Sequence, residues 1–440
     1  MYNVKKSSIA AFVVVTLAAA ACASDDDAAT SEPVTTEAVE TTLTVPEPTS
    51  TDEPTPVETS PPSTDAEVEP ATGEPIVIGT LVIESGGLDV TGNYQALSAF
   101  MAEYNARGGY NGRPVEVIKV DSGADPASNA AAGSELVERQ NVLAMVGGSA
   151  FLDCIANGAL YESSGVPVIN VPLDGFCATN QQVFPLGVGS DTAVLPAIQW
   201  MIEDQGASTV AYVALDIPQS RTGGDLISKT AASLGAELVI AEYAPFGGNP
   251  DIEGIAGRIA QADPDAIMLG LNEPLTEALI QALATQGISP SETTMVVSPG
   301  LYTKAFVDLV GEAGEGLYLV DSFPLLDSGD EQTDEMLAAL DEHVEDPTPD
   351  VFEQFGWISG QVFVAALEAL DGADPTRENV TAALRTLVIE PGGTLWPATL
   401  DFTMFPIVID VVPGYIARLA DGEFRELDGS LILAPVPAAG

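Results

Sequence analysis

Positive charge is scarce in this 440-residue chain: 14 lysines and arginines stand against 65 aspartates and glutamates, for a formal net charge of −51. Phosphate backbones are held by a basic footprint, so nucleic acid is excluded as a partner, and so is charge-driven docking on anionic lipid. Histidine occurs once, at His343 in the acidic stretch LDEHVED, where a Ser-His-Asp arrangement finds no neighbouring nucleophile. The three cysteines and one histidine form no set with zinc spacing. GLDVTG (Gly87–Gly92) lacks the lysine of a phosphate-binding loop. Acid pairs are so numerous that no single pair is informative. The expectation is a chain with no catalytic residue, no metal and no cofactor: not an enzyme.

A membrane-spanning run is also missing. The apolar stretch Ile9–Ala21 follows Lys5 and Lys6 but is too short to cross a bilayer, and reads as a secretory signal. Its end, LAAAAC, resembles a bacterial lipoprotein signal with Cys22 as the acylated residue, although Ala19 stands where such signals prefer leucine. The implied location is extracytoplasmic, on the outer face of the cell membrane through lipidated Cys22, or periplasmic or secreted without the lipid. Residues 1–21 are thus assigned to the signal. Residues 22–74 form a Thr/Pro/Glu-rich acidic tether with almost no large apolar residue, which cannot offset its ordering entropy and is expected to be disordered. Most of the acidic excess lies beyond this tether, in the part that must fold.

That part is long enough for two domains. PIVIGTLVI (Pro75–Ile83) reads as a buried strand. Leu97, Phe100, Met101 and Tyr104 then make one helical face, stopped by Gly108 and Gly109. VEVIKVD (Val115–Asp121) is the next strand, and Asp125-Pro126 caps the next helix. VLAMVGG and VPVINV continue the alternation. It starts afresh with TVAYVAL, AELVIAEYA, AIMLGL, TTMVVSP and GLYLVDSF. Uniformly apolar strands alternating with helices mean parallel sheets covered on both faces, and two series mean two doubly wound lobes. The last third brings helices over DEQTDEMLAALDEHV and VFEQFGWISGQVFVAALEAL, and a third helix expected to open at Asp374-Pro375. Strand signals follow in TLWPATLDF, IVIDVV and YIARLADGEFREL, with a hairpin at Asp421-Gly422.

AEYNARGGYNGRPVEVIKVDSGADP, with GVGSDTAVLPAIQWM, GEGLYLVDSFP and the terminal hairpin, is similar to the leucine/isoleucine/valine-type substrate-binding proteins of ABC importers, from about Pro75 to Leu427. The resemblance implies an α/β fold of the type I periplasmic-binding-protein kind: two Rossmann-like lobes joined by three crossovers, placed near Asp191, Phe323 and Thr394. Lobe one would hold residues 75–191 and 324–394, and lobe two 192–323 and 395–430. It further implies a monomer that captures a small polar metabolite (an amino acid, amide or carboxylic acid) and delivers it to an ABC permease. A sensor module presenting its solute to a membrane receptor, or a surface protein that has lost its ligand, would share the same core.

Ligands of open α/β sheets bind beyond the carboxyl ends of the strands. That rule selects Ser85 in ESGG, Ser149 and Ala150 in GGSAFLD, and Leu173 and Asp174 in PLDG; on the second lobe it selects Gln219, Asn272, Glu273, Gly300 and Leu301. In the family the loop at Ser149 and Ala150 receives a ligand carboxylate, which suits a helix N-terminus. PLDG lacks the family's threonine. Gly300 stands where amino-acid binders carry a glutamate for the ligand ammonium, so an ordinary α-amino acid is disfavoured unless Glu273 or Asp321 supplies that charge. Cys154 and Cys177 each lie six residues past a strand end. If those strands are neighbours, about 4.8 Å apart, a disulfide is expected in an exported protein.

Overall fold

The structure, a computed structural model, describes residues 69–85, 90–123, 125–148, 152–171, 177, 180–186, 189, 191–245, 249–404 and 411–437. The expected signal, Cys22 and nearly all of the expected tether lie outside the described residues. No helix among those described is long and apolar enough to cross a membrane.

β1 (Ile76–Val82), α1 (Gly92–Ala106), β2 (Val115–Asp121), α2 (Pro126–Ser134), β3 (Met145–Gly148), α3 (Asp153–Ser164), β4 (Val168–Asn170) and β5 (Val183–Pro185) form the first winding. Its sheet is all parallel, in the order β2-β1-β3-β4-β5. The β-branched run of β1 is buried on both faces, whereas edge strand β2 is largely half-exposed. Asp125 caps α2 by accepting from the Ala127 and Ser128 amides at 2.9 and 3.1 Å, with Pro126 at the first helical position. Gly109, at φ +56°, ends the turn after α1, where a side chain would strike the Arg113 carbonyl.

The second winding runs α4 (Leu195–Glu203), β6 (Thr209–Leu215), α5 (Pro218–Ser233), β7 (Glu237–Ala244), α6 (Ile252–Ala262), β8 (Ala266–Gly270), α7 (Glu273–Thr285), β9 (Thr294–Val297), α8 (Lys304–Val310) and β10 (Tyr318–Asp321). Its parallel strands pair as β7-β6-β8-β9-β10, the same winding as the first sheet. The chain then returns to the first sheet with α9 (Glu331–His343), α10 (Val351–Glu368) and α11 (Arg377–Leu384), followed by the short pair β11 (Val388–Ile389) and β12 (Leu400–Asp401). β13 (Val411–Ala420), β14 (Glu423–Glu426) and β15 (Ile432–Pro435) close the second sheet, with β13 antiparallel to β10, β14 and β15. Asp421 and Gly422, at φ 56° and 79°, make the hairpin turn that the dipeptide predicts.

Each sheet has a core on both faces. In the first lobe α1 and α10 are in close contact because Gly356 and Gly360 on α10 leave room for the Asn93 backbone and the Phe100 ring; Phe100 meets Trp357 edge-on at 4.9 Å.

Three details differ from the sequence reading. Thr376, not Asp374, caps α11, accepting from the Asn379 amide at 3.1 Å; Asp374 instead meets Arg113. TLWPATLDF is strand only at Leu400–Asp401: Leu395, Trp396, Leu400 and Phe402 are buried in the first core, so the chain leaves that lobe after Phe402 rather than at Thr394. β5 and β15 are short strands flanked by irregular chain that the sequence reading does not single out, although Leu431–Ala434 is an apolar run between Gly429-Ser430 and Pro435.

Candidate functional site

Both sheets reverse their winding between the first and third strands of their series, between β1 and β3 and between β6 and β8. That is the switch point where the carboxyl ends leave a crevice. The chain leaves the first lobe from the carboxyl end of β5 and the second from that of β10, and re-enters the second at β13 opposite the end of β10, where Asp321 faces Tyr415. The passages after β5 and β10 therefore leave from the carboxyl rims of the two sheets, the side on which the two switch points open.

On the first rim, Ser85 donates to Asp121 Oδ2 at 2.8 Å. Asp121 Oδ1 accepts from the amides of Gly123 and Glu84 at 2.9 and 3.1 Å. These bonds, the Gly123 amide first, hold the Asp121 carboxyl below the usual carboxylate range. Lys119 pairs with Glu84 and lies over the Tyr94 ring. Gly147, at φ +77°, turns the end of β3 so that its carbonyl accepts from Asn93 Nδ2 at 3.0 Å. The other carboxamide atom, Asn93 Oδ1, is buried without a partner, as is Asn170 Oδ1 at the end of β4. Ser149, Ala150, Leu173 and Asp174 lie outside the described residues. Their loops are joined by the Cys154–Cys177 disulfide, with Cα atoms 5.2 Å apart, as the strand spacing predicts.

On the second rim, Gln219 is half-exposed in the first turn of α5. Asn272 is spent as a helix cap, accepting from the Leu275 amide at 3.3 Å. Glu273 Oε1 accepts from Thr303 at 2.6 Å, which ties it to the loop after β9. Gly300 is exposed in that loop and a Cβ there would meet nothing within 4 Å. Leu301 is buried in the second core. Asp121, Asn93 and Thr303 were not singled out by the sequence. The usable signal was their position: Asp121 closes β2, Asn93 opens α1, and Thr303 follows the β9 loop.

Elsewhere, a depression of about 550 Å³ opens between the last turns of α1 and α10, lined by Tyr104, Arg107, Tyr110 and Glu368. It is at the end of the lobe opposite the carboxyl rim and holds none of the selected residues. Glu103, Glu342 and His343 bring ligand atoms within 4.8 Å of one another, with His343 Nε2 and Glu103 Oε1 at 2.9 Å. They sit on the outer helices α1 and α9.

One parallel and one mixed sheet, whose five parallel strands share the same winding, form two lobes joined by three passages, the plan of a two-lobed binding protein. The chain belongs to the periplasmic binding protein family, whose model matches residues 75–399. Solved structures similar to it include substrate-binding proteins of ABC transporters. One from Rhodopseudomonas palustris, solved with 4-hydroxybenzoate, is 18% identical at a TM-score of 0.70, covering 83% of this chain and 98% of that one. LivJ of Streptococcus pneumoniae, solved with isoleucine, is 20% identical at a TM-score of 0.66, covering 82% and 100%. A curated amino acid binding protein of Pseudomonas aeruginosa is 22% identical over 204 residues, 44% of this chain and 53% of that relative. The match therefore spans about half of that relative's length.

Proposed function

We propose that the chain is an extracytoplasmic solute-binding lipoprotein that captures a small polar metabolite between its lobes and delivers it to an ABC importer. The observation that carries this reading is the pair of switch points on the carboxyl rims from which the passages after β5 and β10 leave, with rim groups from both lobes within the family's fold. Solute would be held by the loops of Ser149, Ala150, Leu173 and Asp174 on one side and by Gln219, Glu273 and the Gly300–Leu301 backbone on the other. Cys22 would carry the lipid, and the folded part would work as a monomer.

Relatives differ in cargo: isoleucine in one, benzoate and 4-hydroxybenzoate in two others, while another is a fatty acid transporter's binding protein. In this chain the exposed Gly300 leaves open space, and Glu273 is the carboxylate hydrogen-bonded to the same loop. We therefore assign to Glu273 any cationic group that a solute brings, and a carboxylic acid or amide needs no such partner. A thermal-shift panel of amino acids, amides and aromatic and aliphatic carboxylic acids tests this. Stabilisation by one class is expected; Glu273→Gln should abolish it for an amino-bearing solute and leave it intact for an acid. An unshifted melting curve across the panel would count against solute capture.

A further inference from the structure

The passage from β10 to α9 is buried from Asp321 through Leu325, which is unusual for a connection between lobes. Phe323 packs in the first core and Leu325 in the second. Its backbone is satisfied by side chains from both lobes. The Phe323 amide donates to Asp321 Oδ1 at 3.1 Å, Gln354 Nε2 of α10 donates to the Pro324 carbonyl at 2.7 Å, and the Leu325 amide donates to Glu426 Oε2 at 3.2 Å. The Leu326 amide donates to the Tyr302 hydroxyl at 3.2 Å.

Carboxyls converge on this buried strap. Asp321, at the end of β10, is 1% exposed, and its Oδ2 has no partner. Glu353, in the first turn of α10, is 3% exposed; its Oε2 accepts from the Asp350 amide at 2.8 Å, and its carboxyl lies against the Gly92 backbone. The titratable groups acting on Asp321 are Asp350 from the head of α10 and Glu426 from β14, and Asp321 in turn acts on Tyr302 after β9. Asp350 faces Glu353; Asp327 and Asp330, further along the strap, face Glu426; and Tyr415 of β13 faces Glu426 and Asp330. Among the described residues, none of Asp321, Glu353 or Glu426 takes part in an ion pair.

We propose that this crossover is a proton-controlled hinge: Asp321 of the second lobe and Glu353 of the first keep the strap buried while both carboxyls carry protons, and their ionisation loosens it. Once ionised, Asp321 and Glu353 would each face the Asp350 carboxyl at the head of α10 with no ion-pair partner of their own among the described residues, and that crowding of anions beside the strap would draw in water. Burial is the leading cause that pushes Asp321 up to about 7 and raises Glu353 well above its ordinary value, with Asp350 reinforcing both. The switch thus falls near neutral pH. The inference rests on the solute-binding reading only in taking lobe opening as the motion that matters.

Hydrogen exchange of the Phe323, Leu325 and Leu326 amides, measured without any solute between about pH 5.5 and pH 8.5 and corrected for chemical exchange, tests it. The expected result is a loss of protection of about tenfold or more with rising pH in the full chain, and none in the Asp321→Asn/Glu353→Gln double variant. Unchanged protection in the wild type, or the same loss in the variant, would overturn the proposal. If the variant does not fold, infrared difference spectra of the wild type decide: a protonated-carboxyl band lost over that range supports the hinge, and its absence refutes it. Because no solute is present, the outcome is independent of the thermal-shift panel.

Discussion

At the scale of single residues, the structure separates groups that hold the fold from groups free to meet a solute. Arg377 belongs to the first kind. Its guanidinium donates to the carbonyls of Val142, Ser164 and Val137, tying α11 to the end of the helical run after α2, and burial lowers its pKa. Arg377→Ala leaves these carbonyls unpaired and should cost about 2–4 kcal/mol in urea unfolding, and Arg377→Lys should recover little because an ammonium cannot reproduce the planar fork. The buried Asp321 gives a pH dependence of definite sign. With its carboxyl raised above the unfolded value, the stability it contributes is fully present below about pH 4 and is lost as pH rises through its folded value of about 7. Thermal melts should therefore fall between about pH 4 and pH 7, and Asp321→Asn should flatten the fall, separating this group from the general growth of acidic self-repulsion. The sequence named Ser85 and Asn272 from their loops, but not that Asp121 and the α7 cap occupy their side chains. The first pairing needs the register of β1 against β2, which single-residue chemistry does not contain, whereas the Asn272 cap is local and Asn272 before Glu273-Pro274 was a readable signal for it.

Among the elements, α10 and the rim disulfide determine how well the first lobe holds its shape. A Cβ on Gly356 would run into the Asn93 carbonyl, which is backbone and cannot swing aside. Gly356→Ala should therefore destabilise the protein by about 1–3 kcal/mol despite its better helix propensity, read by chemical denaturation. The disulfide closes a short loop, with its cysteines 23 residues apart. Replacing both by serine should cost about 3 kcal/mol in the chain-entropy view, with a matching loss on reduction of the wild type. The long alternations were legible because buried parallel strands leave continuous apolar runs, as in β1, β6 and β8. The end of the first lobe was not. Leu395, Trp396 and Phe402 reach its core as irregular chain, with no period for a pattern to show.

For the whole molecule, acidity is the dominant feature. Arg107, Arg113, Lys119, Arg139, Arg221, Arg258, Lys304 and Arg425 already meet carboxylates, so the acidic excess has few cations left to offset it. Added salt screens that repulsion, and melting temperature should rise from low ionic strength to about 1 M sodium chloride; a flat or falling curve would mean that the surface charge carries no penalty. The two-lobed plan was legible because each winding repeats the same order of signals, whereas the solute was not, because the loops that choose it carry no periodicity. The central claim is that a small solute sits between the lobes. Native mass spectrometry of the protein purified from its own cells tests it most directly: a one-to-one small-molecule adduct, released on unfolding, is expected, whereas a bare chain that also takes up nothing from a metabolite extract would contradict it.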